Sequence, residues 1–310
     1  MKKLNLYAHG KLLLTSEYFV LDGAEALAVP TQLGQYLQVT DSQNDTLHWK
    51  SFDADGTLWF EGTFDFVQFD VLTSSDTSVS QMLSKILKTA QKLKNQASSL
   101  HFSFKNIAIE THLTFPRYWG LGTSSTLIYN ISQLFQVNPY DLLKDTFGGS
   151  GYDIACAGAY SAIVYSLKDG KNSFKTVEFQ PEFKDNLYFI YLGKKQNSRE
   201  GIARYREKAQ KLPPQYFEAF SILTQTMLIV TDLGIFEKLI IEHEKLVAAI
   251  LELPRAKSLY FNDFWGEIKS LGAWGGDFVM ATSDRDFYTT KQYFTEKGFN
   301  TIIPFDEMIL

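Results

Sequence analysis

The sequence has few of the residues and patterns on which several common classes of protein depend. Its 310 residues include a single cysteine, Cys156, so no disulfide framework can form within the chain and no cysteine-based metal site is available. No spacing of histidine, aspartate and glutamate resembles a zinc site. No window approaches the roughly eighteen apolar residues of a membrane-spanning helix, and the N-terminal residues lack the apolar region of a secretory signal. We therefore expect a cytoplasmic protein with no membrane contact.

Clusters of positive charge are also scarce. The formal net charge is −5, and nowhere do lysines and arginines interleave with aromatic residues as on a nucleic-acid surface. The densest basic stretch, residues 194–211, is diluted by glutamates, a pattern that favours a solvated helix over the rim of an anionic-substrate site. We expect a monomer or homodimer whose partner is a small-molecule substrate and not a nucleic acid.

What the chain does contain is typical of a globular protein of one large or two medium domains. Hydrophobic residues make up 45% of the sequence, which is enough for a sizeable core. Strand-like alternation dominates the first part of the chain, and helical periodicity dominates the rest. We place the boundary where the pattern changes, which gives an N-terminal domain of residues 1–182 and a C-terminal domain of residues 183–310.

The strongest functional signal in the sequence is a stretch rich in glycine and hydroxyl residues: Pro116-Arg117-Tyr118-Trp119-Gly120-Leu121-Gly122-Thr123-Ser124-Ser125. A strand-like run, residues 102–113, precedes it and a helix-like run, residues 126–135, follows it. The glycines and hydroxyls therefore fall at a helix N-terminus, where unpaired N–H groups and the helix dipole favour a phosphate. A plain helix start after a glycine turn is the alternative, and the stretch is not a Walker A loop because no Gly-Lys-Ser/Thr follows.

Two other patterns place charge among apolar residues. Near the N-terminus, Lys11 begins an apolar run that Glu17 interrupts. Charges in a mostly apolar sheet need partners or a wet cleft, so an ordinary salt bridge and a functional site are both open interpretations. Further along, three glycines, Gly148, Gly149 and Gly151, lead to Asp153 at the start of an apolar helix. An aspartate there is either a partner of the helix dipole or a general base beside the glycine-rich loop.

Four motifs, in this order along the chain, resemble those of the GHMP kinases, the family of galactokinase, homoserine kinase, mevalonate kinase and phosphomevalonate kinase. They are His9-Gly10-Lys11 with Glu17-Tyr18 and Gly23, the stretch from Pro116 to Ser125, Gly151-Tyr152-Asp153-Ile154-Ala155, and Leu271-Gly272-Ala273-Trp274-Gly275-Gly276. The opening and the aspartate segment resemble the mevalonate kinase and phosphomevalonate kinase branch, and the Gly-Tyr-Asp-Ile-Ala string resembles a bacterial subgroup of it. The resemblance implies an α+β, two-domain GHMP kinase fold. Its N-terminal domain would be like domain 2 of ribosomal protein S5, and its C-terminal domain would be a ferredoxin-like α/β domain.

The resemblance also implies roles for individual residues. Asp153 would be the catalytic aspartate, and Lys11 the lysine beside it, which would lower the pKa of the aspartate and offset phosphoryl charge. The ATP phosphates would be held by Gly120, Leu121, Gly122, Thr123, Ser124 and Ser125, with Ser124 also a ligand of Mg²⁺. Support of the substrate site would come from Glu17, Gly272, Gly275 and Gly276.

The function implied is that of an ATP- and Mg²⁺-dependent kinase that transfers the γ-phosphoryl group to a hydroxyl or phosphate acceptor, with mevalonate or phosphomevalonate as first candidates. Two alternatives stay open: a non-catalytic nucleotide- or metabolite-binding protein on the same fold, and an enzyme like diphosphomevalonate decarboxylase. Departures from the family motifs motivate the first of them. Trp274 replaces a glycine and would narrow the cleft or supply a stacking face. No glutamate aligns with the magnesium ligand of mevalonate kinases, and only Asp141 and Asp145 occur in that region.

Overall fold

The chain divides into two compact units, each of which is continuous in space but not in sequence. This computed structural model describes residues 4–43, 45–97, 104–194, 198–209, 212–272 and 274–310. The first unit comprises Met1–Gly10, Leu33–Arg117 and Leu121–Gly158, and the second Lys11–Gln32, Tyr118–Gly120 and Ala159–Leu310. The sequence-based boundary after residue 182 stays a prediction, and the compact units follow a different division.

The first unit is an antiparallel-rich sheet covered by helices. Its strands are β1 (Leu4–Leu13) and β2 (Ala26–Asp41), which both continue into the second unit, β3 (Leu47–Phe52), β4 (Leu58–Phe64), β5 (Val71–Ser74) and β6 (Ile107–Leu113). Its helices are α1 (Thr77–Ala97), α2 (Thr123–Phe135), α3 (Pro139–Thr146) and α4 (Tyr152–Ala157). The strand order is β5-β4-β3-β6-β2, and β3 and β6 form a parallel pair among antiparallel neighbours.

Side-chain alternation explains why this sheet holds its helices. Every second residue of β6 is buried, as is expected of a strand with one face on a core. That face carries Trp49 and Phe64, which pack with Ile86 of α1 and with Ile128 and Phe135 of α2. The core thus fixes the direction in which α2 leaves the glycine-rich stretch that precedes it.

The second unit contains a four-stranded antiparallel sheet and a hairpin that pairs with the start of β2. The hairpin strands are β7 (Ile163–Lys168) and β8 (Lys171–Thr176), and residues 26–28 of β2 pair with β7. The sheet is formed by β9 (Leu187–Tyr191), β10 (Ile268–Ser270), β11 (Phe278–Thr282) and β12 (Ile302–Pro304), in the order β10-β11-β9-β12. The helices are α5 (Ser198–Ala209), α6 (Gln215–Ile229), α7 (Leu233–Leu251), α8 (Ala256–Tyr260), α9 (Phe287–Glu296) and α10 (Phe305–Met308).

The mixture of sheets and helices confirms the expected α+β class. The alternation in residues 3–40 predicts strands with a hairpin turn at Asp22-Gly23, and the structure has β1 and β2 separated by a 3-10 helix, Phe19–Asp22, that ends at Gly23. Phe19 explains the interruption, because its buried ring stacks on Phe220 of α6 at a centroid distance of 3.9 Å. None of the described helices is long and apolar enough to cross a membrane.

Candidate active site

The start of α2 in the first unit has the geometry of an anion-binding helix terminus. Gly122 is the N-cap residue at φ +95°, a left-handed conformation that a residue with a Cβ adopts only at a cost. No side chain caps the helix, and its first turn holds no acidic residue. The first N–H groups of α2 therefore have neither a side-chain cap nor a nearby carboxylate of that turn to compete with a bound phosphate.

The three hydroxyl residues after Gly122 have different surroundings. The Ser125 side chain is buried and its Oγ donates a hydrogen bond to the Gly122 carbonyl oxygen at 2.8 Å, which stabilises the turn itself. Thr123 is half-buried and Ser124 is exposed. Ser124 is thus the hydroxyl that a metal ion or phosphate can reach, while the Leu121 side chain lies in the interior.

Asp153 lies in the same unit, in the first turn of α4. Gly151 is the N-cap residue of that helix, and α4 packs against α2. The Asp153 side chain is half-buried, and its Oδ1 accepts a hydrogen bond from the Ile154 N–H at 3.1 Å. The first unit therefore carries both the helix start predicted to hold phosphate and the carboxylate predicted to act on the acceptor.

Lys11 and Gly120 belong to the second unit and are bonded to each other. The Lys11 Nζ donates a hydrogen bond to the Gly120 carbonyl oxygen at 2.8 Å, although 109 positions separate the two residues in sequence. A lysine from the first motif thus holds the first glycine of the phosphate-loop motif. The sequence alone predicts each residue but not this bond.

Gly120 is glycine for a reason that the sequence does not reveal. Its φ is +72°, and a Cβ at this position would lie 2.3 Å from the Oδ2 atom of Asp277. The space left by the missing side chain is therefore occupied by a carboxylate. The role of Gly120 in holding the ATP phosphates, which the family resemblance implies, stays a prediction.

Glu17 is the centre of a cluster of charged and polar side chains buried in the second unit. Both its carboxylate and the Lys269 ammonium are about 0–1% exposed, and Lys269 Nζ donates a short hydrogen bond to Glu17 Oε1. A second carboxylate, Glu244 of α7, lies 3.6 Å from the same Nζ through its Oε1 and accepts a hydrogen bond from the Ser270 N–H at 3.0 Å. The Lys269 ammonium therefore forms ion pairs with two buried glutamates.

His243 completes this Glu17 cluster as a neutral ring. Its Nε2 accepts a hydrogen bond from the Ser16 N–H at 2.9 Å and lies 3.4 Å from Glu17 Oε2. Burial, and next the positive charge of Lys269, hold the pKa of His243 well below its usual value. Because Nε2 accepts from Ser16, the neutral ring carries its proton on Nδ1.

The two carboxylates of the cluster have shifted pKa values. Burial raises the pKa of Glu17 to about 7, although Lys269 opposes the shift. Burial likewise raises the pKa of Glu244, again against the charge of Lys269. Two carboxylates around one ammonium carry a net charge of −1 when both are ionised, so the cluster is closest to neutral when one of them keeps a proton.

Trp274 belongs to the segment from Leu271 to Gly276, which is called the third glycine motif below, and its contacts lie inside the second unit. Trp274 is only 3% exposed, packs with Tyr18, Phe19 and Tyr205, and donates its backbone N–H to the Tyr18 hydroxyl at 3.0 Å. The expectation that this tryptophan narrows a cleft or offers a stacking face is therefore wrong, because the ring is a core side chain. Ala273 lies outside the described residues.

The remaining glycines of the third motif differ from one another in backbone conformation. Gly272 and Gly275 adopt positive φ angles of 62° and 94°, whereas Gly276 is buried and is not among the positive-φ residues. Their predicted role as support of the substrate site stays a prediction. The same holds for the basic stretch 194–211, of which residues 195–197, 210 and 211 lie outside the described residues.

The sequence interpretation missed four residues that shape these sites. Asp277 directly follows the third motif and Lys269 precedes it, so their position next to a glycine-rich loop is a usable signal. His243 and Glu244 lie within the amphipathic pattern of α7, and nothing in that pattern marks them as members of a polar cluster. Only the tertiary structure identifies them.

The residues at the start of α2 offer limited ligands to a magnesium ion. Among the described residues, no group of three or more His, Cys, Asp or Glu side chains could hold a metal. Asp141 and Asp145 are exposed on α3. The exposed Ser124 hydroxyl fits an ion that takes most of its ligands from nucleotide phosphates and water, as Mg²⁺ commonly does.

The fold is similar to those of several solved sugar and mevalonate-pathway kinases. Galactokinase from Lactococcus lactis, solved with galactose, matches with a TM-score of 0.71 and 13% identity over 100% of this chain and 94% of that chain. Mevalonate kinase from Methanococcus jannaschii matches with a TM-score of 0.70 and 15% identity over 97% of each chain. Phosphomevalonate kinase from Streptococcus pneumoniae, solved with phosphomevalonate and AMPPNP, matches with a TM-score of 0.67 and 15% identity over 97% of this chain and 99% of that chain.

These likenesses show that the chain has the GHMP kinase fold over its whole length. The sequence comparisons add nothing to this conclusion, because no protein-family model and no curated protein matches the sequence. The names of the two domains given by the sequence resemblance stay predictions.

Proposed function

We propose that this chain, which has the GHMP kinase fold, is an ATP-dependent kinase that phosphorylates a small molecule on a hydroxyl or a phosphate group. The observation that carries the proposal is the bond from Lys11 to the Gly120 carbonyl, at the first glycine of a motif that opens α2. This bond places the Lys11 ammonium at a loop that leads into α2, and no side chain caps the N–H groups at the start of that helix. Phosphoryl transfer chiefly needs positioning and neutralisation of charge, and this arrangement offers both.

Each residue has a specific task in this proposal. The N–H groups at the start of α2 bind the phosphates, Lys11 holds the loop and offsets negative charge, and Asp153 orients or takes up the proton of the acceptor hydroxyl. A magnesium ion bound with the nucleotide would neutralise further phosphate charge, with Ser124 as its protein ligand. The protein would act in the cytoplasm as a monomer or homodimer.

The acceptor is the part of the proposal that the likenesses leave open, so it is tested directly. Purified protein is incubated with ATP and Mg²⁺ and with mevalonate, phosphomevalonate, homoserine or galactose, and ADP release is measured. Mass spectrometry of the product then separates a phosphorylated acceptor from a decarboxylated one. We expect ADP release that depends on one acceptor. Thermal stabilisation by ATP without turnover of any acceptor would instead indicate a non-catalytic nucleotide-binding protein.

Asp153→Asn tests the proposed chemistry within the same assay. We expect kcat to fall by about 10²- to 10⁴-fold with the dissociation constant of ATP unchanged, because the variant loses the proton acceptor but not the phosphate loop. The matched control is Asp145→Asn, which removes an exposed carboxylate from α3 in the same unit. Unchanged turnover in Asp153→Asn would remove Asp153 from the mechanism.

A further inference from the structure

Asp277 is the residue of the second unit that bears most directly on what the phosphate-loop motif can bind. Its carboxylate lies where the side chain of Gly120 would be, with Oδ2 and Cγ both 2.3 Å from the position of a Cβ on that glycine. The approach is close enough that no other residue type fits at Gly120 without displacing the carboxylate. A negative charge thus lies against the first glycine of a motif proposed to hold polyphosphate.

The backbone around Asp277 is fixed, so this placement is not that of a loose surface side chain. Its N–H donates to the Lys194 carbonyl oxygen at 2.7 Å, and its own carbonyl oxygen accepts from the Leu192 N–H at 2.8 Å. Asp277 adopts φ +51°, a left-handed conformation that aspartate and asparagine tolerate better than most residues. The side chain is half-buried.

The opposite side of the contact is fixed as well. The Trp119 ring packs against Tyr191 and Phe278 at centroid distances of 6.0 and 5.4 Å, and the Tyr191 hydroxyl donates to the Tyr118 carbonyl oxygen at 3.2 Å. Residues 118–120 are therefore held to the end of β9 and the start of β11, and Asp277 directly precedes β11. Burial, and next the charge of Asp277, raise the pKa of Tyr191.

Gly120 thus contacts one charge of each sign. Lys11 binds its carbonyl oxygen, and the Asp277 carboxylate lies beside its Cα atom. A polyphosphate that approaches Gly120 meets an attraction and a repulsion of similar range.

We propose that Asp277 is a specificity-determining residue that makes the loop discriminate between a bare polyphosphate and one complexed with a divalent cation. The proposal depends on the nucleotide-binding function proposed above. A bare triphosphate is repelled by Asp277, whereas bound Mg²⁺ cancels about half of the phosphate charge and with it a similar share of the repulsion. The residue acts on binding and makes no bond to the reacting atoms.

The test compares the affinities for ATP and for inorganic tripolyphosphate with excess EDTA and with excess Mg²⁺, measured by isothermal titration calorimetry. We expect Asp277→Asn to bind both bare ligands about tenfold more tightly than the wild type, because one charge at this range is worth about that factor. Affinity for the Mg²⁺ complexes should change less than about threefold. Asparagine keeps the size of the side chain and its tolerance of positive φ, and Asp277→Gly, which adopts positive φ freely, should give the same change.

The matched control is Asp284→Asn, which changes the net charge equally at an exposed position beyond the other end of β11. It should leave all four affinities unchanged. Unaltered or weaker binding of the bare ligands by both Asp277 variants would overturn the proposal, as would a weaker affinity for the Mg²⁺ complexes alone, which would make Asp277 a metal ligand. If neither the wild type nor the variants bind ATP or tripolyphosphate in any condition, the proposed kinase function itself fails.

Discussion

The start of α2 in the first unit and the Glu17 cluster in the second use polar side chains in opposite ways. At the start of α2, Ser124 is exposed and Thr123 and Asp153 are half-buried, so their polar atoms lie within reach of a ligand. In the Glu17 cluster, Glu17, Lys269 and their polar neighbours are buried and hydrogen-bond to one another.

The residues at the start of α2 can bind a ligand, whereas those of the Glu17 cluster can only position the backbone near them. The Glu17 cluster is buried, so its groups are out of reach of a substrate, but its hydrogen bonds fix the backbone around it. Lys269 lies two residues before the third glycine motif, and Glu17 belongs to the first. The family resemblance predicts that Glu17 supports the site and does not react, and its burial agrees with that role without testing it.

The largest expected effect on stability comes from the loss of the Lys269 ammonium from the Glu17 cluster. Lys269→Met leaves two buried glutamates without a cation, and the free energy of unfolding should fall by about 3–5 kcal/mol. Urea unfolding monitored by tryptophan fluorescence measures the loss. The control is Lys184→Met, which removes one partner of the solvent-exposed pair with Asp306 and should lower the free energy of unfolding far less. Equal losses in the two variants would show that burial gives the Glu17 cluster no special weight.

The pH dependence of stability should reveal the shared proton of the cluster. The folded pKa of Glu17 is raised from 4.5 to about 7, so its contribution to stability is complete below pH 4.5 and is lost as the pH rises to 7. The pKa of His243 is lowered from 6.5, so its contribution is present above pH 6.5 and is lost as the pH falls. The two contributions oppose each other between pH 4.5 and 6.5.

Single substitutions should separate these opposing contributions. Glu17→Gln should retain more stability than the wild type, relative to its own value at pH 5, as the pH rises to 7, by up to about 3 kcal/mol. His243→Gln should instead lose less stability between pH 6.5 and 5. Urea unfolding at each pH gives both profiles. Parallel profiles for the wild type and both variants would contradict the assignment of these shifts to the cluster.

The sequence predicts the start of α2 far better than it predicts the Glu17 cluster. The glycine turn, the helix that follows it and the aspartate of α4 are local features, since each depends on a few neighbouring residues whose backbone preferences are known. The structure accordingly shows the helix start where the pattern of Gly120 to Ser125 predicts one. The mixed α+β class follows from periodicity in the same way.

The Glu17 cluster was beyond sequence reasoning because its members meet only in the folded chain. The Lys269 and Glu17 side chains form a bond across 252 positions, and no pattern in one segment reports on the other. The same limit explains why the sequence predicts neither the Asp277 carboxylate beside Gly120 nor the buried ring of Trp274. The space available to a side chain is a property of the tertiary structure, and spacing along one motif does not reveal it.

The backbone conformation at the start of α2 can be tested with a Gly→Ala substitution. The same substitution should have no effect or the opposite effect on stability inside α7. Gly122→Ala forces a Cβ into a left-handed conformation and should lower the free energy of unfolding by about 1–2 kcal/mol. Gly234→Ala places the same methyl group in the first turns of α7, where φ is not positive, and should be neutral or stabilising by up to about 1 kcal/mol. A neutral effect at Gly122 would show that the turn relaxes without loss.

The finest test compares two adjacent serines. Ser125→Ala removes the buried hydroxyl that donates to Gly122 and should lower the free energy of unfolding by about 0.5–1.5 kcal/mol. Ser124→Ala removes an exposed hydroxyl and should change that free energy by less than about 0.5 kcal/mol. If Ser124 is the ligand of Mg²⁺, its substitution should instead raise the Mg²⁺ concentration needed for half-maximal activity, while Ser125→Ala leaves that concentration unchanged. The reverse assignment of the two effects would mean that α2 presents Ser125, and not Ser124, to the ligand.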